Sequence, residues 1–199
     1  MILSVVSLKG GVGKTTSALY LATCALEDDL KPVVLDADEE GSALSWAQLA
    51  STRGAALPFE VIRADRNSPA KQARDFEKSG HAVIIDTPPN NRETLTIAGM
   101  VSDLVIVPVS PSGLDVDRLV NTLAVLKNVE ASKGSLTLGI LLTKYDARQL
   151  LAREAQAALS AYSVFDTRIR NLARYQSFGA VPEYLNEYRT AWQEIKEAL

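Results

Sequence analysis

The sequence is poor in cysteine and has no long apolar run. Its one cysteine, Cys24, excludes an internal disulfide framework. No apolar stretch approaches the roughly 20 residues that a membrane span needs, and a strand-like run begins at residue 2 in place of a signal peptide. Repeats and low-complexity tracts are also missing. We therefore expect a cytoplasmic protein with no membrane partner.

The composition is that of an ordinary globular protein. Hydrophobic residues make up 47% and charged residues 23%, a balance that argues against disorder. A chain of 199 residues is long enough for one well-buried core and short for two. With no linker in view, we expect a single domain over residues 1–199.

Strand-like runs alternate with helical stretches along the whole chain. The predicted strands are 2–7, 32–36, 58–63, 82–86, 104–108, 136–143 and 163–167. The predicted helices are 15–26, 42–51, 69–79, 92–101, 114–131, 148–161 and 182–199. Nearly continuous apolar strands separated by helices predict an α/β fold of three layers, with a mostly parallel twisted sheet covered on both faces. Ligands of such folds bind at the carboxyl ends of the strands.

A glycine-rich octapeptide joins the first strand to the first helix. It contains the residues Lys9, Gly10, Gly11, Val12, Gly13, Lys14, Thr15 and Thr16. Glycines at a strand-to-helix turn let backbone N–H groups form a nest for phosphate, at the positive end of the helix dipole. Lys14 would then reach the β- and γ-phosphates, and the Thr15 hydroxyl would bind Mg²⁺. The alternative is a merely glycine-rich turn, since the strict phosphate-binding pattern has glycine where Leu8 stands.

Two predicted strands end in aspartate, at Asp36 and Asp86. Because parallel strands bring their carboxyl ends to one edge, both side chains are expected beside the glycine-rich turn. Asp86 closes a hydrophobic run in the Walker B pattern, whose carboxylate holds Mg²⁺ through a water ligand. An aspartate after apolar residues is also common as a turn or helix cap, so the pattern gains its meaning from the turn upstream.

The octapeptide resembles the deviant Walker A motif of the ParA/MinD family of P-loop ATPases. In that family the first lysine, matched by Lys9, contacts the nucleotide bound by the other subunit of a dimer. The segment Asp86-Thr87-Pro88-Pro89 matches the family's Asp-Thr-Pro-Pro turn. The resemblance implies the P-loop NTPase fold, ATP and Mg²⁺ as ligands, and a homodimer formed on ATP binding. With no helix-turn-helix ahead of the P-loop, the chain is most similar to the short ParA class.

A second family motif, usually Asp-x-Asp-Pro-Gln, is matched by Asp36-Ala37-Asp38. Its second aspartate acts on the attacking water, so the resemblance gives Asp38 a catalytic role with Lys9 and Lys14, and a place with Thr15 and Asp86 at the metal. Here Glu39 and Glu40 replace the proline and glutamine. Two added negative charges near a triphosphate would repel it unless they face solvent or meet a cation.

The base-binding end of the site carries less specific signals. In relatives the loop after the last strand frames adenine, so the resemblance suggests base contacts at Arg168, Ile169, Arg170 and Asn171. The absence of an Asn-Lys-x-Asp motif disfavours guanine. The segment Thr143-Lys144-Tyr145-Asp146 is close enough to that motif to keep guanine open.

Positive charge is concentrated in one segment of a chain whose net charge is −3. Residues 126–175 contain eight basic and four acidic residues. The basic residues are Lys127, Lys133, Lys144, Arg148, Arg153, Arg168, Arg170 and Arg174. ParA proteins bind nonspecific DNA as ATP-bound dimers, which suggests phosphate contacts at Lys144, Arg148, Arg170 and Arg174. An ordinary solvated surface is the alternative.

Together the motifs imply a partition ATPase. The ATP-bound dimer would bind nucleoid DNA until a small basic centromere-binding partner, similar to ParB, stimulates hydrolysis and releases it, so that plasmids or chromosomes are distributed. A MinD-like or organelle-positioning ATPase, or a nucleotide-binding scaffold without hydrolysis, remains an alternative. An iron-protein-like reductase would need two cysteines per chain for a bridging cluster. The acidic surplus of the last helix favours packing on the sheet over membrane binding.

Overall fold

The computed structural model describes residues 1–111, 116–148, 159 and 162–199. The strands within these ranges are β1 (Ile2–Val5), β2 (Lys31–Asp36), β3 (Glu60–Arg63), β4 (His81–Asp86), β5 (Leu104–Val109), β6 (Thr137–Tyr145) and β7 (Val164–Arg170). The α-helices are α1 (Lys14–Glu27), α2 (Ser42–Thr52), α3 (Pro69–Lys78), α4 (Arg92–Val101), α5 (Val116–Lys133) and α6 (Asn186–Ala198). A 3₁₀ helix spans Ala173–Gln176.

All seven strands form one parallel sheet in the order β3-β2-β4-β1-β5-β6-β7. Successive side chains of β1 point to opposite faces, so Ile2 and Leu3 enter two different apolar clusters. One cluster packs α1 and α6 against the sheet, and the other packs α4 and α5 on the opposite face. The predicted three-layer α/β fold is confirmed.

The carboxyl ends of the central strands meet at one edge of the sheet. Asp86 at the end of β4 is the register neighbour of Val5 in β1 and of Asp36 in β2. The chain leaves β1 at this edge and enters α1, so the glycine-rich turn lies directly above the two aspartates. The predicted convergence of these segments is therefore observed.

Most predicted elements begin and end within two residues of the observed ones. The last strand and the last helix differ by more. The last strand continues past residue 167 to Arg170, pairing with β6 at Leu142 and Tyr145. Burial alternates along this end of the strand, where Thr167 and Ile169 are buried and Arg170 is exposed. The sequence there has no continuous apolar run of the kind that predicts a buried strand. The predicted helix 148–161 lies almost wholly outside the described residues.

The last helix begins at Asn186, four residues after the predicted start at residue 182. The chain before it is held by tertiary contacts, because the Tyr184 hydroxyl accepts hydrogen bonds from Arg170 at 3.0 Å and from Asn186 at 2.8 Å. From there the apolar face of α6 is buried in the core through Tyr188, Ala191, Trp192 and Ile195. The predicted packing of this segment on the sheet is confirmed.

Polar contacts join α6 to the end of α1. Arg189 donates to both carboxylate oxygens of Glu27 at 2.7 Å, and the Trp192 indole donates to Asp28 at 2.7 Å.

In the part of the chain that the structure describes, no helix is long and apolar enough to cross a membrane.

Candidate nucleotide-binding site

The glycine-rich turn has a backbone that only glycine adopts without strain at two positions. Gly11 has φ of +76° and Gly13 has φ of +89°, both in the left-handed region. The turn is held from below, where the Thr143 hydroxyl donates to the Val12 carbonyl at 2.8 Å. Because α1 starts at Lys14, the free N–H groups of its first turn open toward the same concavity. The arrangement is a phosphate cradle.

Lys14 is the buried cation of this cradle. Its side chain is 7% exposed, and Nζ donates to the Lys9 carbonyl at 2.9 Å across the turn. Burial lowers the pKa of Lys14, while the carboxylates of Asp86 and Asp38 act in the opposite direction. A buried ammonium between two carboxylates and a ring of N–H groups is arranged to meet an anion.

Thr15 and Asp86 form the position that fits a divalent cation. The Thr15 hydroxyl donates to Asp86 Oδ2 at 2.6 Å. Asp86 is 1% exposed, and among the described residues its Oδ1 has no hydrogen-bond partner. Burial raises the pKa of Asp86 to about 7, and the neighbouring Asp36 carboxylate adds to this rise. A buried oxygen left without a partner beside a hydroxyl ligand suits Mg²⁺ bound through water.

Asp36 organises the next loop, a role that the motif alone did not indicate. Its Oδ1 accepts from the Asp38 backbone N–H at 3.1 Å, and its Oδ2 accepts from the Leu44 N–H at 2.9 Å in the first turn of α2. Burial raises the pKa of Asp36, and these two N–H donors oppose the rise. Asp36 therefore fixes both ends of the segment that carries Asp38.

The Asp38 side chain lies in the site, and the two glutamates after it remain at the surface. Asp38 is 9% exposed and accepts the Glu40 N–H on Oδ1 at 3.0 Å. Glu39 faces solvent, where its carboxylate lies 3.6 Å from Arg66. Glu40 is exposed and borders the cleft. One of the two extra charges thus meets a cation, and water screens both.

A cleft of about 470 Å³ runs from the cradle along the carboxyl edge of the sheet. Its cradle end includes Gly10, Gly11, Gly13, Lys14, Thr15, Thr16, Asp38 and Thr87. Its far end includes Trp46, Ile169, Arg170, Asn171, Leu172, Tyr175, Gln176 and Phe178. The volume and the two chemically different ends suit a nucleotide, with phosphates over the cradle and the base among the aromatic residues.

Three of the four residues suggested for the base border this cleft. Ile169, Arg170 and Asn171 do so, whereas Arg168 lies outside the lining and places its guanidinium 5.6 Å from the centre of the Tyr145 ring. Sequence reasoning missed Tyr175, Gln176 and Phe178, which follow β7 in the 3₁₀ helix and its loop. Trp46, on α2, also lines this end of the cleft. Its indole N–H donates to the Ala180 carbonyl at 2.7 Å.

The described basic residues of this segment do not all lie on one surface. Lys144 and Arg174 are exposed near the cleft, and Arg174 stacks 4.0 Å above the Tyr184 ring. Arg148 is also exposed, with its guanidinium bound to both oxygens of Asp146 at 3.0 and 2.9 Å. Arg170 pairs with Glu187. Lys133 instead bonds the Ser102 carbonyl at the opposite edge of the sheet, and Arg153 lies outside the described residues.

Lys9 stands half-buried at the mouth of the cradle. Its backbone carbonyl accepts the Lys14 ammonium, and its N–H donates to the Ser7 hydroxyl at 3.2 Å. The in-trans role of Lys9 stays a prediction.

A parallel sheet with a glycine cradle, a buried lysine, and a threonine paired to a buried aspartate defines a P-loop nucleotide-binding protein. The model of the CobQ/CobB/MinD/ParA nucleotide binding domain matches residues 3–179. The chain belongs to this family and is a ParA/MinD-type ATPase.

Three relatives illustrate the similarity. Maintenance of carboxysome distribution protein A from Gloeobacter kilaueensis is 35% identical over 79% of this chain and 70% of its own length. The protein of the same name from Halothiobacillus neapolitanus is 26% identical over 99% and 94%. The chromosome-partitioning ATPase Soj of Thermus thermophilus is 30% identical over 86% and 82%.

Solved structures share the fold. Apo McdA from Cyanothece superposes with a TM-score of 0.77 at 19% identity, covering 99% of this chain and 98% of that one. A plasmid partition protein of Borrelia burgdorferi gives 0.76 at 19% identity, covering 100% and 98%. Cobyrinic acid a,c-diamide synthase of Mycobacterium smegmatis, solved with ADP and magnesium, gives 0.74 at 21% identity, covering 98% and 94%.

Proposed function

We propose that this protein is an ATP-dependent dimerising switch that distributes a cargo inside the cell. ATP binding would join two copies, the dimer would bind nonspecific DNA, and a ParB-like basic partner protein would stimulate hydrolysis and release it. The observation that carries the proposal is the meeting of Lys14, Thr15, Asp38 and Asp86 at one end of a nucleotide-sized cleft.

Each residue has a distinct part in the proposed reaction. The cradle N–H groups and Lys14 hold the β- and γ-phosphates, and Lys9 of the other subunit adds a second cation. Thr15 and Asp86 would hold Mg²⁺, which offsets negative charge on the phosphates when it is bound. The Asp38 carboxylate orients the water for in-line attack and accepts its proton. As water bonds to the γ-phosphorus, the bond from that phosphorus to the bridging oxygen breaks and ADP leaves. The negative charge that develops on ADP is then met by groups already in place.

Dimerisation is the first test, by light scattering after size exclusion with ATP, ADP or no nucleotide. We expect the wild type to dimerise with ATP alone. Lys9→Ala should bind nucleotide and stay monomeric, whereas Lys78→Ala, an exposed lysine on α3, should behave as wild type. A Lys9→Ala dimer of normal stability would contradict the in-trans role.

DNA binding is the second test. Arg148→Glu should weaken binding of the ATP-bound dimer and flatten its salt dependence, because each lost phosphate contact lowers the slope by about 1. Arg74→Glu on α3 is the matched charge reversal away from the cleft. Arg170→Glu is less diagnostic, because Arg170 lines the cleft and the new carboxylate would lie beside Glu187, its present partner. Equal binding by Arg148→Glu and Arg74→Glu would reject this surface.

Two kinds of cargo are candidates, because the relatives are named for two different cargoes. Soj is a chromosome-partitioning ATPase, which supports a plasmid or chromosome, and two relatives are named for carboxysome distribution, which supports a protein organelle. Deleting the gene separates them, since the first predicts loss of DNA from dividing cells and the second predicts clustered organelles. ATP-dependent pelleting with liposomes in place of DNA would instead favour a MinD-like membrane cycle.

A further inference from the structure

Arg63 lies beside the loop that carries Asp38. It is the last residue of β3 and the register neighbour of Asp36 in β2. Its side chain therefore leaves the sheet at the same edge as the two aspartates. Within the described chain Arg63 is not part of the cleft lining, so any effect on a bound nucleotide must pass through other residues.

The Arg63 guanidinium binds the backbone of this loop. Nη1 donates to the Asp38 carbonyl at 3.1 Å and approaches the Glu39 carbonyl at 3.5 Å. The Asp38 carbonyl also accepts the Gly41 N–H at 2.9 Å, which closes a tight turn. A methyl group added at Gly41 would come within 2.6 Å of Arg63 Nη2. The guanidinium thus fills the space beneath the turn.

A second arginine nearby makes a different kind of contact. Arg66 faces the Glu39 carboxylate at 3.6 Å, with the two side chains 70% and 77% exposed. Such exposed ion pairs contribute little, because water screens them. A guanidinium that donates to a backbone carbonyl is stronger and fixes direction. Arg66 therefore offsets the charge of a glutamate, whereas Arg63 anchors the backbone of the loop.

We propose that Arg63 is a positioning residue for Asp38. The peptide units on either side of Asp38 are held from two directions, with its N–H bound by Asp36 and its carbonyl bound by Arg63. With both contacts in place, the Asp38 carboxylate is kept at the cleft. The inference rests on the proposed function, in which this carboxylate orients the attacking water.

The test compares steady-state ATP hydrolysis and nucleotide affinity in four variants. Arg63→Gln should lower kcat about tenfold, the effect of losing one charge-assisted hydrogen bond, and leave KM and the nucleotide Kd within about twofold. Arg63→Lys should recover part of kcat, because an ammonium still reaches one carbonyl. Arg66→Gln is the matched control and should stay within about twofold of wild type.

Gly41→Ala perturbs the same contact from the other side. Its methyl group would displace the guanidinium, and its φ of +67° adds strain, so kcat should fall as in Arg63→Gln. The urea midpoint of Arg66→Gln should match the wild type, since both members of its ion pair are exposed. Arg63→Gln should remain folded under the assay conditions, because one lost hydrogen bond is small beside the total stability of a domain.

Several results would overturn the proposal. Arg63→Gln with normal kcat would do so, as would equal losses in Arg63→Gln and Arg66→Gln, which would assign the effect to charge. A fall in nucleotide affinity that accounts for the whole change would place Arg63 in binding. A wild type without ATP turnover would overturn the proposed function as well, whereas normal wild-type turnover with normal Arg63→Gln would overturn this inference alone.

Discussion

Asp86→Asn removes the buried carboxylate of the candidate metal site while keeping its shape. In the folded protein the pKa of Asp86 is about 7, against an ordinary value of 3.8, because the group is fully buried and Asp36 lies nearby. A raised pKa in the folded state stabilises the protein below the unfolded value, and this contribution is lost as pH rises through the folded value. The protein without metal or nucleotide should therefore lose stability as pH rises through the range between about 4 and about 7.

Linkage between these two pKa values corresponds to a loss of about 2–3 kcal/mol between pH 5 and pH 8. Asp86→Asn lacks the titrating group, so its free energy of unfolding should gain about that amount relative to wild type over the same interval. The amide can still accept the Thr15 hydroxyl hydrogen bond, which limits any other cost of the substitution.

Urea unfolding in the presence of a chelator, at both pH values, measures this difference. Asp75→Asn, at an exposed aspartate on α3, is the control and should follow the wild type. ATP with Mg²⁺ should reduce the pH dependence of the wild type, because bound cation favours the ionised carboxylate. A constant difference between Asp86→Asn and wild type at both pH values would refute the reasoning.

Two further substitutions test the packing and the far end of the cleft. Trp192→Ala should cost about 3–5 kcal/mol of unfolding free energy, because this 1% exposed side chain joins α6 to the core, and Trp192→Phe should cost less; equal urea midpoints for wild type and Trp192→Ala would contradict this packing. Phe178→Ala should raise the nucleotide Kd several-fold with stability within about 0.5 kcal/mol, since Phe178 is 44% exposed in the cleft. Fluorescence titration with a labelled nucleotide measures that affinity, and an unchanged Kd would place the base elsewhere.

The fold and the cradle could be predicted from sequence because their signals are local. Apolar runs between helices marked the strands, and the glycines followed by Lys14 and Thr15 marked the turn. The meeting of Asp36 and Asp86 followed from a general property of parallel sheets, that strand ends share an edge.

The remaining parts of the site depend on contacts between distant segments. Arg63 carries no motif, and its role is visible only where β3 meets the loop after β2. The Trp46 indole bonds the Ala180 carbonyl 134 residues away, which no local pattern indicates. The predicted start of α6, at residue 182, was wrong because the segment before Asn186 is held by a tertiary contact. There the Tyr184 hydroxyl accepts a hydrogen bond from Arg170.

The central claim is that the cleft turns over ATP with Asp38 acting on water. The most direct measurement is phosphate release from ATP and Mg²⁺, with DNA and the cognate partner protein, in wild type, Asp38→Ala and Lys14→Ala. We predict release by the wild type, none by Lys14→Ala because it lacks nucleotide, and none by Asp38→Ala although it retains ATP as a stable dimer. Wild-type release no greater than that of Lys14→Ala, or undiminished release by Asp38→Ala, would contradict the account.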